Sequence, residues 1–282
     1  MLKDHIKGIQ HVGIPVSDME KTADWYCKNL DFETTAVFNV GGVGIRFLCN
    51  GNMTLELYQF PPGEVADEIR SRGNGHIDHI ALDAQDVNGA LRACKAKGLE
   101  LETQNGSYFE IPECWEKGTK YFHAICPNGD RVEFAERSGK KAARLKNVEG
   151  WAHLGIPVTD IVRSQQFYEN LGFEPVMQCH IGGEKEEERI YITMMQLRSF
   201  IIELYQLLPN DLPGIRERKD GHIDHLALDV DDVEAAQREA HTEGCVFATE
   251  KTEDLPIWEK GCRYFIIRGP DGERVEFNQI QS

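Results

Sequence analysis

The sequence predicts an α+β fold built from four similar modules. Three observations carry that reading. The chain repeats itself once along its length, each half holds two units of strand, helix and further strands, and the strands lack the regular β–α alternation of a doubly wound parallel sheet. The repeat is direct. His11-Val-Gly-Ile-Pro-Val-Ser-Asp18 returns as His153-Leu-Gly-Ile-Pro-Val-Thr-Asp160, and Leu55-Glu-Leu-Tyr-Gln59 as Ile202-Glu-Leu-Tyr-Gln206. Gly75-His-Ile-Asp-His-Ile-Ala-Leu-Asp83 returns as Gly221-His-Ile-Asp-His-Leu-Ala-Leu-Asp229. Trp115-Glu-Lys-Gly118 and Pro127-Asn-Gly-Asp-Arg-Val-Glu-Phe134 match Trp258-Glu-Lys-Gly261 and Pro270-Asp-Gly-Glu-Arg-Val-Glu-Phe277.

Each module opens in a strand: Gln10–Val16, His76–Asp83, Trp151–Val158 and His222–Asp229. A helix follows. The first carries a capping box, Ser17-Asp-Met-Glu20. The second runs from Asp86 to Lys97 and stops at Gly98, the third from Asp160 to Leu171 before Gly172, and the fourth from Asp232 to Glu243 before Gly244. Glycine just past the last turn is the expected C-terminal signal. Each module then becomes β-rich and closes in a strand that carries a glutamate; the turns Pro127-Asn-Gly and Pro270-Asp-Gly precede two of these strands. Register between the halves drifts at the charged insertion Gly182–Glu188 and before the Trp-Glu-Lys-Gly motif, both read as loops. The basic stretch Arg137–Lys146 has no strand alternation. The halves are therefore residues 1–136 and 149–282, with residues 137–148 as their linker.

A length of 282 residues suits two domains. With 31 Lys and Arg against 47 Asp and Glu, the formal charge is −16. That balance argues against nucleic acid and against anionic membrane surfaces, which need a basic footprint. No run approaches the ~18 apolar residues of a membrane span, and the polar N-terminus lacks the apolar region of a secretory signal. The eight cysteines are scattered without a C-x-x-C pair, so they read as reduced packing residues of a cytoplasmic protein rather than as thiolate zinc ligands or a disulfide framework.

Side chains alternate faces along a strand. Val12, Ile14 and Val16 share one face of the first strand, and His11 the other. Likewise His79 opposes Ile80 and Leu82, Glu56 opposes Leu55 and Leu57, and Glu133 opposes Val132 and Phe134. His153, Glu203, His225 and Glu276 repeat the division. Each half thus has an aliphatic face fit to pack on a helix, and an opposite face of small residues carrying two imidazoles and two carboxylates. Carboxylates are costly to bury unpaired; two beside two imidazoles on the inside of a curved sheet suit a divalent cation. The donor set fits Zn, Ni, Co, Mn or Fe without choosing among them.

The opening His-x-Gly-Ile-Pro-Val, the Trp25-Tyr26 and Phe167-Tyr168 pairs in the first helix of each half, the His-Ile/Leu-Ala strand and the Pro-x-Gly-x-x-Val-Glu-Phe ending together resemble the vicinal oxygen chelate superfamily, the glyoxalase, bleomycin resistance protein and dioxygenase type. The resemblance implies four βαβββ modules that pair into two cup-shaped mixed sheets around metal ions. It places the metal ligands at His11, Glu56, His79, Glu133, His153, Glu203, His225 and Glu276. Two pairings stay open: modules one with two and three with four, or a swap that joins His11 and Glu56 to His225 and Glu276.

Complete two-His, two-Glu sets resemble the glyoxalase I and epimerase branch. That branch implies an isomerase or lyase that moves a proton next to a carbonyl through an enediolate held on the metal, on a small polar substrate. Glu133 and Glu276 are the implied bases, with Glu56 or Glu203 returning the proton. A ring-cleaving extradiol dioxygenase with Fe(II) is the alternative, and a non-catalytic binding or resistance protein of the same fold the third. Substrate-contact candidates are Trp115 and Trp258, with Lys117 and Lys260 in the same motifs, read either as lids or as structural loops anchored by Trp. Arg131 and Arg274 lie on the ligand face and either bind an anion or balance the glutamates. Tyr58 and Tyr205 either donate a hydrogen bond to substrate or pack the core. His76 and His222 read as structural, and Asp78 and Asp224 as supporting or turn residues. Duplication within one chain supplies a pairing that shorter relatives reach by dimerising, so monomer and homodimer both fit.

Overall fold

In the first module the alternating strand β1 (Ile6–Pro15) leads to α1 (Met19–Leu30), then β2 (Glu33–Val40), β3 (Val43–Asn50) and β4 (Met53–Gln59). A short helix α2 (Glu64–Arg70) connects to the second module: β5 (His79–Ala84), α3 (Val87–Ala96), β6 (Leu101–Glu102), β7 (Phe109–Ile111), β8 (Thr119–Ile125) and β9 (Arg131–Arg137). The third comprises β10 (Val148–Pro157), α4 (Ile161–Asn170), β11 (Glu174–Gly182), β12 (Arg189–Leu197) and β13 (Phe200–Gln206). After α5 (Leu212–Arg216) come β14 (His225–Val230), α6 (Val233–Thr242), β15 (Val246–Phe247), β16 (Glu253–Leu255), β17 (Cys262–Arg268) and β18 (Arg274–Ile280). The computed structural model describes residues 1–137 and 148–281. Arg137 ends β9 and Val148 opens β10; the rest of the predicted linker lies outside the described residues.

The described strands form two mixed sheets of nine. One runs β15-β17-β18-β14-β1-β4-β3-β2, with β16 on β17; the other runs β11-β12-β13-β10-β5-β9-β8-β6, with β7 on β8. The modules are therefore swapped: the first sheet joins modules one and four, the second joins two and three. The seam of each is antiparallel, β1 on β14 and β10 on β5.

A crossing of two segments explains the swap. The backbone of His76 donates to Lys219 O and that of His222 to Gly73 O, at 3.2 and 3.0 Å, and Ile77 bridges Ile223. At the crossing Gly75 and Gly221 pass so closely that a Cβ on either would lie 2.2 Å from the backbone nitrogen of the other. Beyond it, Asp78 N donates to Gly155 O and Asp224 N to Gly13 O, both at 2.9 Å, which steers each segment onto the other half's opening strand. For that reason the second and fourth opening strands begin at His79 and His225, three residues later than the alternation predicts.

The aliphatic faces meet the helices as expected. Val12, Ile14, Leu55, Leu57, Ile80, Leu82, Val132 and Phe134 are buried in one continuous core together with Tyr26 and Tyr168. Three helices start where the sequence places their caps: Asp86, Asp160 and Asp232 accept from the amides of Gly89, Arg163 and Ala235. The first differs by one residue. Asp18, not Ser17, caps α1 by accepting from Lys21 N at 3.0 Å. The Ser17 amide is already engaged by Asn128 Oδ1, and Glu20, the other half of the predicted box, pairs with Arg46. Gly98, Gly172 and Gly244 all take the positive φ that ends a helix. No helix among the described residues is long and apolar enough to cross a membrane.

Candidate metal centres

The four central strands of each sheet carry one histidine or glutamate apiece. In register, Gly13 of β1 faces Glu56 on β4 and His225 on β14, while Ala227 faces both His11 and Glu276 on β18. The other sheet repeats this with Gly155, Glu203, His79, Ala81, His153 and Glu133. A bulge interrupts the ladder just before each opening histidine, between Ile9 and His11 and between Trp151 and His153. Bulges re-aim side chains at such positions. The swap thus assembles His11, Glu56, His225 and Glu276 in one place, and His79, Glu133, His153 and Glu203 in the other.

The first group has His11 Nε2 and His225 Nε2 3.2 Å apart. His11 Nε2 lies 3.4 Å from Glu56 and 3.9 Å from Glu276, and His225 Nε2 lies 3.8 and 3.6 Å from the same pair. In the second, the Nε2 atoms of His79 and His153 are 3.1 Å apart. Glu203 stands 3.5 Å from both, and Glu133 stands 3.3 Å from His153 and 3.8 Å from His79. All but Glu203, at the margin, are buried.

Two donor atoms each about 2.1 Å from one cation, at tetrahedral to octahedral angles, sit about 3.0–3.4 Å apart. The imidazole pairs meet that spacing, and His11, Glu56 and His225, like His79, Glu133 and His153, are grouped closely enough to hold an ion. The donor set therefore fits a divalent metal at each centre.

Glycine makes room for this arrangement. A Cβ on Gly13 would lie 2.0 Å from His225 Cε1, and one on Gly155 would lie 2.0 Å from His79 Cε1. The glycine of the His-x-Gly motif is therefore a steric requirement for the imidazole across the seam. Each of those imidazoles is held at its far nitrogen: Nδ1 of His225 lies 3.1 Å from Asp224, and Nδ1 of His79 lies 3.4 Å from Asp78. Such contacts fix the ring orientation and leave Nε2 for the metal. Arginines anchor both aspartates. Arg274 and Arg72 bind Asp224, the latter at 2.8 Å; Arg131 and Arg218 bind Asp78 at 3.1 and 2.7 Å. Asp78 and Asp224 thus support the ligand histidines, and Arg131 and Arg274 are occupied in holding them.

The electrostatics follow from burial and proximity. Burial opposes the charge on His79, but Asp78, Glu203 and Glu133 outweigh it and lift its pKa to about 10. His225 is raised in the same way by Glu276, Asp224 and Glu56 against burial. Burial wins at His153, which is lowered despite Glu203 and Glu133. Burial disfavours the Glu133 carboxylate, yet His153, His123 and His79 bring its pKa down to about 2. Glu56 is lowered too, by His11 and His225 against burial.

Each centre opens on a cavity, about 260 Å³ beside His79 and His153 and about 430 Å³ beside His225 and Glu56. Tyr205, Arg131 and Trp115 line the first; Tyr58 and Arg274 line the second. Burial pushes the Tyr58 and Tyr205 hydroxyls well above their ordinary pKa. Trp258 packs on Phe38 and Phe47 with ring centroids 5.1 and 5.0 Å away, and does not line the cavity. Lys117 and Lys260 are exposed and outside both linings.

One residue escaped the sequence reading. His123 of β8 stands opposite Glu133 with Nε2 3.2 Å from its carboxylate. Its counterpart at the other centre is Ile266, where Asn278 Nδ2 instead donates to Glu276 at 2.8 Å. His123 has no repeat partner, so a search for recurring residues passes over it; its place on the ligand face of a strand was the available signal.

A family model described as the glyoxalase, bleomycin resistance protein and dioxygenase superfamily matches residues 8–110 and 150–277. Among curated proteins, the uncharacterized protein YwbC of Bacillus subtilis (strain 168) is 35% identical over 138 residues, 45% of this chain and 94% of that protein. Glyoxalase I from Zea mays is similar in structure, with a TM-score of 0.73 at 20% identity, over 99% of this chain and 94% of that one. A putative dioxygenase from Bacillus subtilis superposes with a TM-score of 0.67 at 13% identity, over 98% and 86%. At these identities the solved structures speak for the fold alone, whereas the family match takes in both repeats. The chain belongs to the glyoxalase, bleomycin resistance protein and dioxygenase superfamily.

Proposed function

We propose that the protein is a metal-dependent isomerase or lyase of the glyoxalase I or epimerase type, acting on a small α-hydroxycarbonyl compound at two centres. The observation that carries this reading is the pair of carboxylates gathered with two imidazoles, both carboxylates lining the cavity, at each centre. His11, Glu56, His225 and Glu276 would hold one divalent ion, and His79, Glu133, His153 and Glu203 the other. When bound, the ion supplies Lewis-acid stabilisation of the negative charge that develops on the substrate oxygens.

The protein's own groups handle the proton. Glu133 and Glu276 take it from the carbon next to the carbonyl, and the facing carboxylates, Glu203 and Glu56, return it on the other side. The neighbouring imidazoles hold Glu133 ionised, the state in which it can ligate the ion and from which a base must start. Tyr205 and Tyr58, kept un-ionised by burial, line the cavities and would reach substrate oxygens by turning their hydroxyls away from Asp78 and Asp224. The apolar side of one cavity, Ile111, Ile190, Ile192 and Met194, excludes water from the intermediate.

Elemental analysis of protein purified without chelator tests the metal, and deuterium uptake from D₂O into α-hydroxycarbonyl compounds, hemithioacetals included, tests the proton transfer. Two equivalents of Zn, Ni, Co or Mn with deuterium at the carbon next to the carbonyl are expected. Glu133→Gln and Glu276→Gln should each remove about half of the exchange, and both together should lower it by at least 10²-fold. Iron that consumes oxygen with catechols would replace this reading with the ring-cleaving one, and an unchanged rate in the double variant would remove the assigned bases.

A further inference from the structure

The two centres are not equally equipped. Above the His79–His153 centre, Cys114 Sγ and Cys179 Sγ lie 2.7 Å apart. They join distant parts of the chain: Cys114 precedes Trp115 in the loop from β7 to β8, and Cys179 lies on β11 of the third module. Both pack with Ile192, Met194 and Ile201 beside the cavity. Cys114 is 1% exposed, whereas Cys179 is partly open to solvent. Their counterparts at the other centre are Ile257, which precedes Trp258, and Phe38, which faces Ile45 on β3 as Cys179 faces Ile192 on β12. There the same meeting of loop and strand is apolar and holds no thiol pair.

We propose that Cys114 and Cys179 form a reversible disulfide under peroxide, which pins the Trp115 loop to β11 over one centre and leaves the other unmodified. The chemistry balances with hydrogen peroxide as the two-electron oxidant. The Cys179 thiolate attacks one peroxide oxygen, the O–O bond breaks, and with a proton the departing oxygen leaves as water while Cys179 becomes a sulfenic acid. The Cys114 sulfur then attacks the Cys179 sulfur. The S–O bond breaks, the second oxygen leaves as water with the Cys114 proton, and the S–S bond forms. Two thiols and one peroxide give one disulfide and two waters. The division of labour agrees with the surroundings. Cys179 is the accessible sulfur and so the one peroxide reaches, while Cys114 is buried beside it within reach of the sulfenic acid.

The link joins the loop to a strand that otherwise meets it only through side chains. Trp115 lines the cavity, its ring lies under the Arg137 guanidinium 5.1 Å from the centroid, and its φ of 61° holds the loop in a left-handed turn. Fixing residue 114 therefore restrains the Trp115 part of that cavity's wall. The disulfide itself rests on the thiol geometry; its effect on the centre rests on the metal reading above.

The test uses the full chain loaded with zinc alone, treated with a few equivalents of hydrogen peroxide or with dithiothreitol. Peptide mapping without reduction should find the Cys114–Cys179 linked peptide, two hydrogens lighter than its parts, in the oxidised sample and lost on reduction. Cys179→Ser should abolish it. Release of zinc to a chelator should become biphasic on oxidation, one equivalent slowing several-fold and the other unchanged. Cys114 and Cys179 found separately alkylatable after peroxide would overturn the disulfide whether or not zinc binds. A linked peptide with both zinc ions leaving at the old rate would overturn the pinning. Failure of zinc to bind would remove the metal reading and with it the effect on the centre, and peptide mapping would still decide the link.

Discussion

Gly13 shows how a single side chain's absence shapes a centre. It sits on the ligand strand and contributes nothing to a metal, yet the His225 ring occupies the space its Cβ would fill. Gly13→Ala must displace that imidazole or the strand, at a cost of roughly 1–3 kcal/mol for an overpacked interior. The expected result is a folded protein with one equivalent of metal in place of two, read by circular dichroism and elemental analysis; retention of two equivalents would refute the steric role. Protonation offers a second test at this scale. His79 is held charged by its carboxylates up to a pKa of about 10, and a metal ligand must be neutral. Zinc binding at pH 7 should therefore release protons, seen as a calorimetric enthalpy that varies with the ionisation enthalpy of the buffer; a buffer-independent enthalpy would contradict it. The two groups of four that the fold brings together were legible as single positions in the sequence, because strand alternation and repetition agree on them. His123 was not, since it has no counterpart, and the task of Asp78 and Asp224 was not, since the ring nitrogen of the adjacent histidine and an arginine from the other half come together only in the fold.

Among the elements, helices were legible from their caps, and the one displaced cap has a cause in tertiary contacts: Asn128 takes the Ser17 amide that the predicted box would have given to Glu20, and Arg46 takes Glu20. The turn before β18 holds a buried carboxylate that ties it to α4. Tyr168 Oη donates to Glu273 at 3.1 Å and the Asp271 amide donates to its other oxygen at 3.0 Å. Burial raises its pKa to about 7. A carboxyl whose pKa is higher folded than unfolded contributes stability that is fully present below its unfolded pKa and lost as pH rises through about 7. The loss amounts to about 3 kcal/mol at most. Glu273→Gln, which cannot ionise, should leave the melting temperature near the parent's at pH 5 and raise it above the parent's at pH 8. A difference that does not change with pH would show that the carboxyl titrates normally.

For the whole molecule, four modules and two cups were legible from repetition and family motifs, but their pairing was not. Adjacent modules could have closed on each other with the same residues. The choice is made by the crossing at Gly75 and Gly221, where two segments far apart in sequence exchange backbone hydrogen bonds, and no local pattern encodes that meeting. Each candidate centre consequently draws its histidines and glutamates from both halves, and the arginines bridge in the same sense, Arg72 to Asp224 and Arg218 to Asp78. The most direct test is metal stoichiometry in paired histidine variants. His11→Ala with His225→Ala removes two ligands from one swapped centre and should leave one equivalent of zinc, held by His79 and His153. His11→Ala with His79→Ala strikes both centres and should leave little or none. One equivalent retained in the second variant and none in the first would contradict the swap and return the ligands to adjacent modules.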